Sequence, residues 1–499
     1  MGIIIYIPLS QLCLEPSVSD FSKAHTSDAT LSYYLVTSNF SYTHFSSSVS
    51  PRRVSMVEEA TRGLRVTGAA LRRVQKIFTD EMQRGLLQKP SSLQMENTYL
   101  PELPDGSEGG RFLALDLGGT NFRVLLLELA QGNVIREAVK HYHISDEQRI
   151  GCGVKLFDYL AECVGDFIKS QGLQEVPLPL GFTFSFPMVQ HSLSSGSLLT
   201  WTKSFKCSGM ERDMVQMLRE SLDKCGTHNV NVVALLNDTT GTLVAGARID
   251  HRTGIAMILG TGSNACFVER ADRVMHWEGG QSAASLAAQQ VVIDIEWGAF
   301  GDNGVIDFIK TPYDRQVDSL SLLTNSFMFE KYISGKYLGE VARCVLEGLI
   351  RGGIILGGGR AGALLHPASF STACVSEVEL DSLEGETWRT EQLMARLGAS
   401  ATGEEVAIVQ HVCTLVSHRA AQLLSACMAA LLERMCWEHV TVAVDGSLYK
   451  HHPRLRHLFS KFTTLLAPDH QFSLLLAEDG SGKGAGLTAA VASRLATRR

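Results

Sequence analysis

Hydrophobic and polar positions follow two periods along this chain, and these periods predict its secondary structure. From Met56 to Met82, apolar residues recur every three to four positions, which predicts a helix. Further on, short apolar runs alternate with helical patterns, which is typical of an α/β architecture. The predicted strands are residues 112–116, 124–129, 179–184, 229–236 and 254–259, and the predicted helices include residues 156–170 and a long helix or helix pair at 405–437.

Two segments follow neither period. Residues 1–55 are rich in Ser, Thr and Tyr, poor in charge and without helical spacing, so we expect a disordered N-terminal extension. Residues 88–110 contain Pro90, Pro101 and Pro104, together with an Asp-Gly pair, and this composition predicts a linker.

The composition narrows the class of protein. Hydrophobic residues make up 45% of the 499 residues and charged residues 19%, which is ordinary for a globular chain with a core. A net charge of −7 and the lack of a long basic block argue against nucleic-acid binding. No run approaches about 20 apolar residues, so no integral membrane segment is expected. The 11 dispersed cysteines, without a Cys-x-x-Cys pair, fit a reducing compartment.

One pattern of strand, glycine turn and strand occurs twice, at residues 113–128 and 256–269, which suggests two related halves. Backbone N–H groups converge in turns of this kind, so a pair of them could hold a polyphosphate from two sides. Asp116, at the mouth of the first turn, could hold Mg²⁺ through water, and Arg123 could neutralise phosphate charge. The alternative is that each turn is only a structural β-turn.

The other glycine clusters are less consistent with known motifs. Residues 357–362 match the dinucleotide pattern G-x-G-x-x-G, but Pro367 leaves little room for the helix that such a fold requires. Residues 480–486 open a helix and satisfy neither the P-loop nor the Rossmann spacing, so they are interpreted as a helix start near a nucleotide. Asp445-Gly-Ser is a third strand-to-turn junction.

Three charged residues are candidates for chemistry. Asp238 stands where a strand passes into a helix, a position that suits accepting a hydrogen bond from a substrate hydroxyl; the alternative is a helix N-cap. Glu296 lies in an apolar, aromatic segment predicted as strand, so it needs a polar partner. Lys203 is of interest because Ser185, set among aromatic residues at a strand end, precedes it.

Seven short motifs occur in the order found in one enzyme family. They are LDLGGTNFRV at 115–124, GFTFSFP at 181–187, TWTK at 200–203, NDT at 237–239, GTGSNA at 260–265, EWGAFGD at 296–302 and DGSLYK at 445–450. Together they resemble the eukaryotic hexokinase/glucokinase family, and the resemblance covers residues 56–499. One such motif is a weak signal, whereas the ordered set is highly specific.

The resemblance implies a two-domain actin-like ATPase fold of the ribonuclease H-like type, with a small and a large lobe that close on the substrate. After the extension at 1–55, the expected division is residues 56–100 (N-terminal helix and linker packed on the large lobe), 101–236 (small lobe), 237–479 (large lobe) and 480–499 (C-terminal helix returning to the small lobe).

The resemblance also implies ATP-dependent phosphorylation of a hexose, glucose above all, at its 6-hydroxyl, with ATP and Mg²⁺ bound. By it, Asp238 is the catalytic base, and Lys203 balances the charge of the transferred phosphoryl group. The residues implied to contact the sugar are Ser185, Thr202, Lys203, Asn237, Asp238, Asn264, Glu296 and Glu330. Those implied to bind ATP are Asp116, Gly118, Gly119, Thr120, Asn121, Arg123, Gly260, Thr261, Gly262, Asp445, Gly446, Ser447, Gly480, Ser481 and Gly482.

The chain departs from the family pattern in places. Residues 322–329 replace an Asn-Pro-Gly segment and put the placement of Glu330 in question; Ser204 stands where Gly is usual, and residues 352–363 are also atypical. Two rival hypotheses follow: a catalytically impaired sugar sensor of the same fold, and an oxidoreductase built on residues 357–362. The resemblance further implies a cytoplasmic monomer, and it leaves open a peripheral association with the mitochondrial outer membrane.

Overall fold

The computed structural model describes residues 45–118, 121–202, 205–275 and 289–497, and predictions about residues 1–44 lie outside these ranges. The strands are β1 Glu96–Asn97, β2 Gly110–Leu117, β3 Asn121–Ala130, β4 Asn133–His143, β5 Leu178–Phe184, β6 Met188–Ser192, β7 Ser195–Leu198, β8 Val230–Leu236, β9 Thr253–Leu259, β10 Ser263–Arg270, β11 Gln290–Asp294, β12 His439–Asp445 and β13 Gln471–Leu476. The helices are α1 Pro51–Thr61, α2 Gly68–Leu86, α3 Asp146–Ile150, α4 Gly153–Gln171, α5 Met214–Lys224, α6 Asp238–Ile249, α7 Pro312–Ser319, α8 Met328–Ile333, α9 Leu338–Arg351, α10 Thr372–Glu384, α11 Trp388–Arg396, α12 Gly403–Met435, α13 Ser447–His451, α14 Leu455–Leu466 and α15 Gly480–Thr497.

Two sheets repeat one topology, which confirms the prediction of two related halves. The first sheet has the order β4-β3-β2-β5-β8, and the second has the order β1-β11-β10-β9-β12-β13. In each, three consecutive antiparallel strands are followed by two parallel ones: β2, β5 and β8 run parallel, as do β9, β12 and β13. Apart from the edge strand β1, the strand order is the same. The carboxyl ends of the parallel strands therefore form one edge in each half.

Two helices pack between these sheets. Helix α6 contacts β9, β10 and β12 of the second sheet, while α15 contacts β2, β3, β5 and β8 of the first, and the two helices also pack on each other. Their apolar side chains share one buried cluster with both sheets, including Leu127, Leu243, Ala443 and Leu487. Because each helix begins beside the carboxyl edge of a sheet, both N-termini point toward the same region.

The predicted apolar helix at 405–437 is one helix, α12. It begins with a capping box in which Thr402 accepts from the amide of Glu405, and it ends at Cys436 in the left-handed conformation. Its length and hydropathy would suffice to cross a membrane, but every residue in its most apolar window is buried inside the protein. It is the core helix of the second half.

The N-terminal boundary differs from the prediction. Residues 45–48 form a helical turn and α1 begins at Pro51, so the expectation of disorder is wrong for residues 45–55. Phe45 is buried and stacks on His411 with 4.0 Å between ring centroids, a contact far apart in sequence. The helix predicted from Met56 to Met82 is also divided, because Thr67 caps the start of α2.

Candidate active site

The carboxyl edge of the first sheet gathers the predicted residues of that half. Strands β2, β5 and β8 pair in register and are followed directly by Gly118, Ser185 and Asn237. A Cβ atom on Gly118 would lie 3.6 Å from the Ser185 hydroxyl oxygen, so the first glycine turn and this serine adjoin. Gly119, Thr120, Lys203 and the side chain of Asn121 lie outside the described residues.

Three polar side chains predicted to contact sugar form one cluster. The Asn264 amide nitrogen donates to Glu296 Oε1 at 3.1 Å, and that of Asn237 lies 3.4 Å from the same oxygen. The polar partner expected for Glu296 is therefore confirmed. The predicted strand around Glu296 is wrong, however: β11 ends at Asp294, and Glu296 follows in a turn with φ of 54°. That turn directs Glu296 back toward the asparagines.

Asp238 is the first residue of α6, and its alternative role as N-cap is wrong. The N-cap is Asn237, whose Oδ1 accepts from the amide of Thr239 at 2.9 Å. A carboxylate in the first turn of a helix is stabilised by the helix dipole and the free amides there. Asn237, and not Asp238, therefore caps α6.

Glu330 lies against the second glycine turn. Its Oε2 accepts from the Ser263 amide at 3.0 Å, and a Cβ on Gly262 would be 2.7 Å from that oxygen. The atypical segment before it is anchored, because Asp302 accepts from the amides of Phe327 and Met328 at 2.8 Å each. Glu330 therefore lies against the second glycine turn despite the atypical residues at 322–329.

Thr202 is half-buried in a loop supported by aromatic side chains. The Trp201 indole donates to the Cys207 carbonyl at 2.9 Å and stacks on Phe205, while Phe186 meets the indole edge-on at 4.9 Å. The carbonyl of Thr202 accepts from the Phe205 amide at 3.0 Å. This packing holds the loop beside the strand end that carries Ser185.

The predicted nucleotide residues of the two halves also meet. Arg123 pairs with Asp116 and with Asp479, and it donates to the Ser481 hydroxyl at 3.2 Å. In the second half, Asp445 Oδ2 accepts from the Gly480 amide at 3.2 Å. The turns at Gly260 and Gly446–Ser447 are adjacent, since a Cβ on Gly260 would lie 3.5 Å from both Gly446 Cα and the Ser447 amide. The start of α15 thus contacts Asp116, just before the first glycine turn, and Asp445, just before the turn at Gly446–Ser447.

The sequence did not predict two residues that lie near this region. Asp479, the second partner of Arg123, precedes the glycines that drew attention and has φ of 58°. Lys336 is exposed, and its backbone amide donates to the Thr261 carbonyl at 3.0 Å, so this lysine follows the second glycine turn closely in space. The sequence gives no sign that Lys336 lies close to this turn, because a long stretch that includes Glu330 and α8 separates the two in the chain.

Asp116 fits the role of an Mg²⁺ ligand through water. One oxygen, Oδ2, accepts from Arg123 and from the Ser481 hydroxyl at 3.0 Å, whereas Oδ1 would lie 4.0 Å from a Cβ on Gly118. Mg²⁺ commonly uses one or two carboxylates together with waters and substrate phosphates. Across the described residues, no group of three or more His, Cys, Asp or Glu side chains forms an all-protein metal site.

The resemblance implies that ATP binds here, and on that expectation Arg123→Met should raise the KM for ATP about tenfold or more, because Asp116 and Asp479 would lose their shared cation. The KM for hexose should change by less than about threefold. Arg111→Met on the same sheet is the matched control, since Arg111 pairs with Glu128 at the surface and should matter little. Steady-state kinetics with each substrate varied separately measures both constants. An unchanged KM for ATP would remove Arg123 from the nucleotide site.

Asp294, the last residue of β11, was not predicted as a site residue. It is 4% exposed, and its Oδ1 accepts from the Asn264 amide at 2.8 Å. Burial raises the pKa of Asp294 to about 8, and the negative charges of Asp238 and Glu96 act in the same direction. A buried acid thus stands directly behind the asparagine that holds Glu296.

Asp294→Asn should stabilise the protein more at pH 8 than at pH 4.5. Burial raises the pKa of the folded carboxyl well above its ordinary value, so over the pH range between the two values the unfolded chain releases a proton that the folded chain keeps. Folded-state stability therefore falls as pH rises through this window and levels off above it. Relative to wild type, D294N should gain on the order of a few kcal/mol in the free energy of unfolding between pH 4.5 and pH 8. Urea unfolding at both pH values measures it; an equal effect at both would contradict the assignment.

The motif-like glycine cluster at 357–362 lies elsewhere. Helix α9 precedes it, and a single 3₁₀ turn, Gly362–Leu365, follows. A Cβ on Gly362 would overlap the Leu397 carbonyl, whereas the Cβ positions of Gly357, Gly358 and Gly359 face open space. This is a surface turn of the helical region and lacks the strand and crossover helix of a dinucleotide site.

The repeated sheets, with a glycine turn on each and polar side chains between them, define the two-lobed actin-like ATPase fold. Two family models described as hexokinase match residues 56–248 and 254–491. A solved hexokinase from Schistosoma mansoni complexed with glucose is 35% identical, with a TM-score of 0.81, covering 88% of this chain and 99% of that one. The chain belongs to the hexokinase family.

Other proteins similar to this chain are also hexokinases. Hexokinase-3 of Mus musculus is 42% identical over 88% of this chain, and hexokinase-1 of Homo sapiens is 38% identical over 89%. The matches cover 47% and 49% of those proteins, so the chain spans about half the length of these curated relatives. A further hexokinase crystal structure is 28% identical, with a TM-score of 0.72, over 89% of this chain and all of that one.

Proposed function

We propose that this chain transfers the γ-phosphoryl group of ATP to the 6-hydroxyl of a hexose, with glucose as the favoured substrate. The observation that carries the proposal is the convergence of two glycine turns with a cluster of Asn, Asp and Glu side chains at the carboxyl edges of both sheets. Family membership supports it, as does the solved relative complexed with glucose. The anchored Glu330 weighs against the sugar-sensor hypothesis, and the surface position of residues 357–362 weighs against the oxidoreductase.

In this proposal the protein side chains predicted to contact the sugar bind and orient the hexose. Each sugar hydroxyl both donates and accepts, which suits a ring of amides and carboxylates such as Asn237, Asn264 and Glu296. Ser185, Thr202, Lys203 and Glu330 complete the predicted set. Asp238, at the start of α6, accepts the proton of the attacking 6-hydroxyl, so that the oxygen becomes a better nucleophile as the phosphoryl group transfers.

On the nucleotide side, backbone amides of both glycine turns would hold phosphates, and residues 445–447 and 480–482 would border the adenosine. Arg123 keeps Asp116 oriented toward the first turn. Bound Mg²⁺ would neutralise phosphate charge, and Asp116 is the residue that would hold it through water. Lys203 would balance the charge on the transferred group. Closure of the two lobes would exclude water, which otherwise competes with the sugar as acceptor.

A coupled assay with glucose, ATP and Mg²⁺ tests the proposal, with glucose 6-phosphate detected as product. We expect ATP- and sugar-dependent product formation by the folded protein. Glucose binding without product from protein of native circular dichroism would favour the sugar sensor instead. Protection of the chain by a dinucleotide but not by ATP would favour the oxidoreductase.

We also propose a cytoplasmic monomer, by analogy with the family. Light scattering coupled to gel filtration should give a mass near the 54.4 kDa of this chain. A mass of twice that value would show a dimer. Co-sedimentation with mitochondria would instead indicate the peripheral membrane association that the resemblance leaves open.

A further inference from the structure

Asp294 lies immediately behind the proposed sugar site and accepts hydrogen bonds from Asn264 and from the Thr239 hydroxyl. Asn264 Nδ2 carries two hydrogens; its shortest contacts are Asp294 Oδ1 at 2.8 Å and Glu296 Oε1 at 3.1 Å. The amide oxygen of Asn264 accepts from the Ala265 backbone at 2.7 Å. The Asn264 amide therefore bridges the buried acid Asp294 and the carboxylate of Glu296, which lies in a left-handed turn two residues after Asp294.

The groups that face Asp294 are acidic or neutral. Glu96 is directly opposite on β1, Cys266 is directly opposite on β10, Asp238 approaches from α6, and Glu296 follows Asp294 by two residues. The Thr239 hydroxyl lies 3.4 Å from Asp294 Oδ1. Within the described residues Asp294 forms no ion pair, so a negative charge there would be buried without compensation. The raised pKa given above agrees with this geometry.

We propose that Asp294 is a positioning residue of the sugar site, which in its neutral form fixes the Asn264 amide and, through it, Glu296. This inference rests on the hexose kinase function proposed above. The neutral acid supplies a carbonyl-like acceptor without adding charge. On ionisation, a further negative charge stands beside Asp238 and Glu296, in a site that must also accept an anionic phosphoryl group. Sugar binding and transfer both weaken.

The test compares wild type with Asp294→Asn and Asp294→Ala. The carboxamide keeps the acceptor oxygen, so D294N should bind glucose within about threefold of wild type at pH 6.5. D294A leaves Asn264 without its partner and should raise the glucose Kd about tenfold or more. Isothermal titration calorimetry without ATP measures both constants. If D294N weakens binding as much as D294A while both keep native circular dichroism, or if neither weakens it, the proposal is overturned.

A pH profile separates positioning from a purely structural role. Wild-type kcat/KM for glucose should fall above about pH 8 as Asp294 ionises, and D294N should lack that decline. Glu96→Gln removes the negative charge that lies across from Asp294 on β1. The decline in kcat/KM should then move to lower pH. A decline that persists unchanged in D294N would contradict the proposal.

Calorimetry keeps this inference distinct from the kinase function. If wild type binds glucose but forms no product, the proposed function fails, while the two glucose dissociation constants still decide the role of Asp294. If wild type does not bind glucose, both proposals are overturned.

Discussion

Asp238→Ala should lower kcat by about 10²–10⁴-fold, because the attacking hydroxyl loses the carboxylate that takes its proton. The structure is consistent with this expectation, since Asn237 and not Asp238 caps α6. The fold should survive, because α6 keeps its cap and the substituted residue lies in the first turn. Glucose affinity should fall by about ten- to a hundredfold, the cost of one charged hydrogen bond.

Steady-state kinetics and glucose calorimetry on the same preparation give both values. Asp272→Asn is the matched control: its carboxylate is exposed and, among the described residues, pairs with the exposed Arg270, so the change should leave kcat unaltered. A D238A variant that retains turnover within about threefold would remove Asp238 from the role of base. Loss of glucose binding together with turnover would show a binding role instead.

Gly484→Ala should destabilise the protein, although the same change in an ordinary helix interior is stabilising by about 0.5–1 kcal/mol. A Cβ on Gly484 would overlap the backbone of Gly241, where α15 crosses α6. The helices would have to separate, and such overpacking typically costs about 1–3 kcal/mol. Because Ser481 lies one turn earlier and contacts Asp116, the KM for ATP should rise as well.

Gly357→Ala is the matched control, since its Cβ would face open space. Its effect on the free energy of unfolding should stay within about 0.5 kcal/mol. Thermal or urea unfolding of both variants measures the contrast. Equal effects of G484A and G357A would show that the helix crossing tolerates a side chain, against the geometry described.

Local sequence signals predicted the parts of the molecule that depend on local physics. The strands and glycine turns were predicted because apolar runs and turn residues are adjacent in the chain. The twofold strand–turn–strand pattern gave the repeated halves. Asp238 was found because the junction of a strand and a helix is visible in a few residues.

Contacts between distant segments could not be predicted in the same way. Arg123 and Ser481 are separated by 358 positions, and Asn264 and Asp294 by 30, so neither pair leaves a local pattern. Asp294 resembled one more residue of an apolar strand. Phe45 lies in a segment with the composition of a disordered tail, yet it is buried in the core and stacks on His411. Each of these contacts depends on tertiary packing and not on the local sequence.

Identifying the phosphorylated product by ³¹P NMR tests the central proposal most directly. The protein would be incubated with glucose, ATP and Mg²⁺, with 6-deoxyglucose in a parallel sample. We expect one new phosphomonoester signal at the 6-position of glucose, its absence with 6-deoxyglucose, and at least a hundredfold slower appearance with D238A. Transfer to another hydroxyl, product from 6-deoxyglucose, or ATP hydrolysis without sugar phosphate would contradict it.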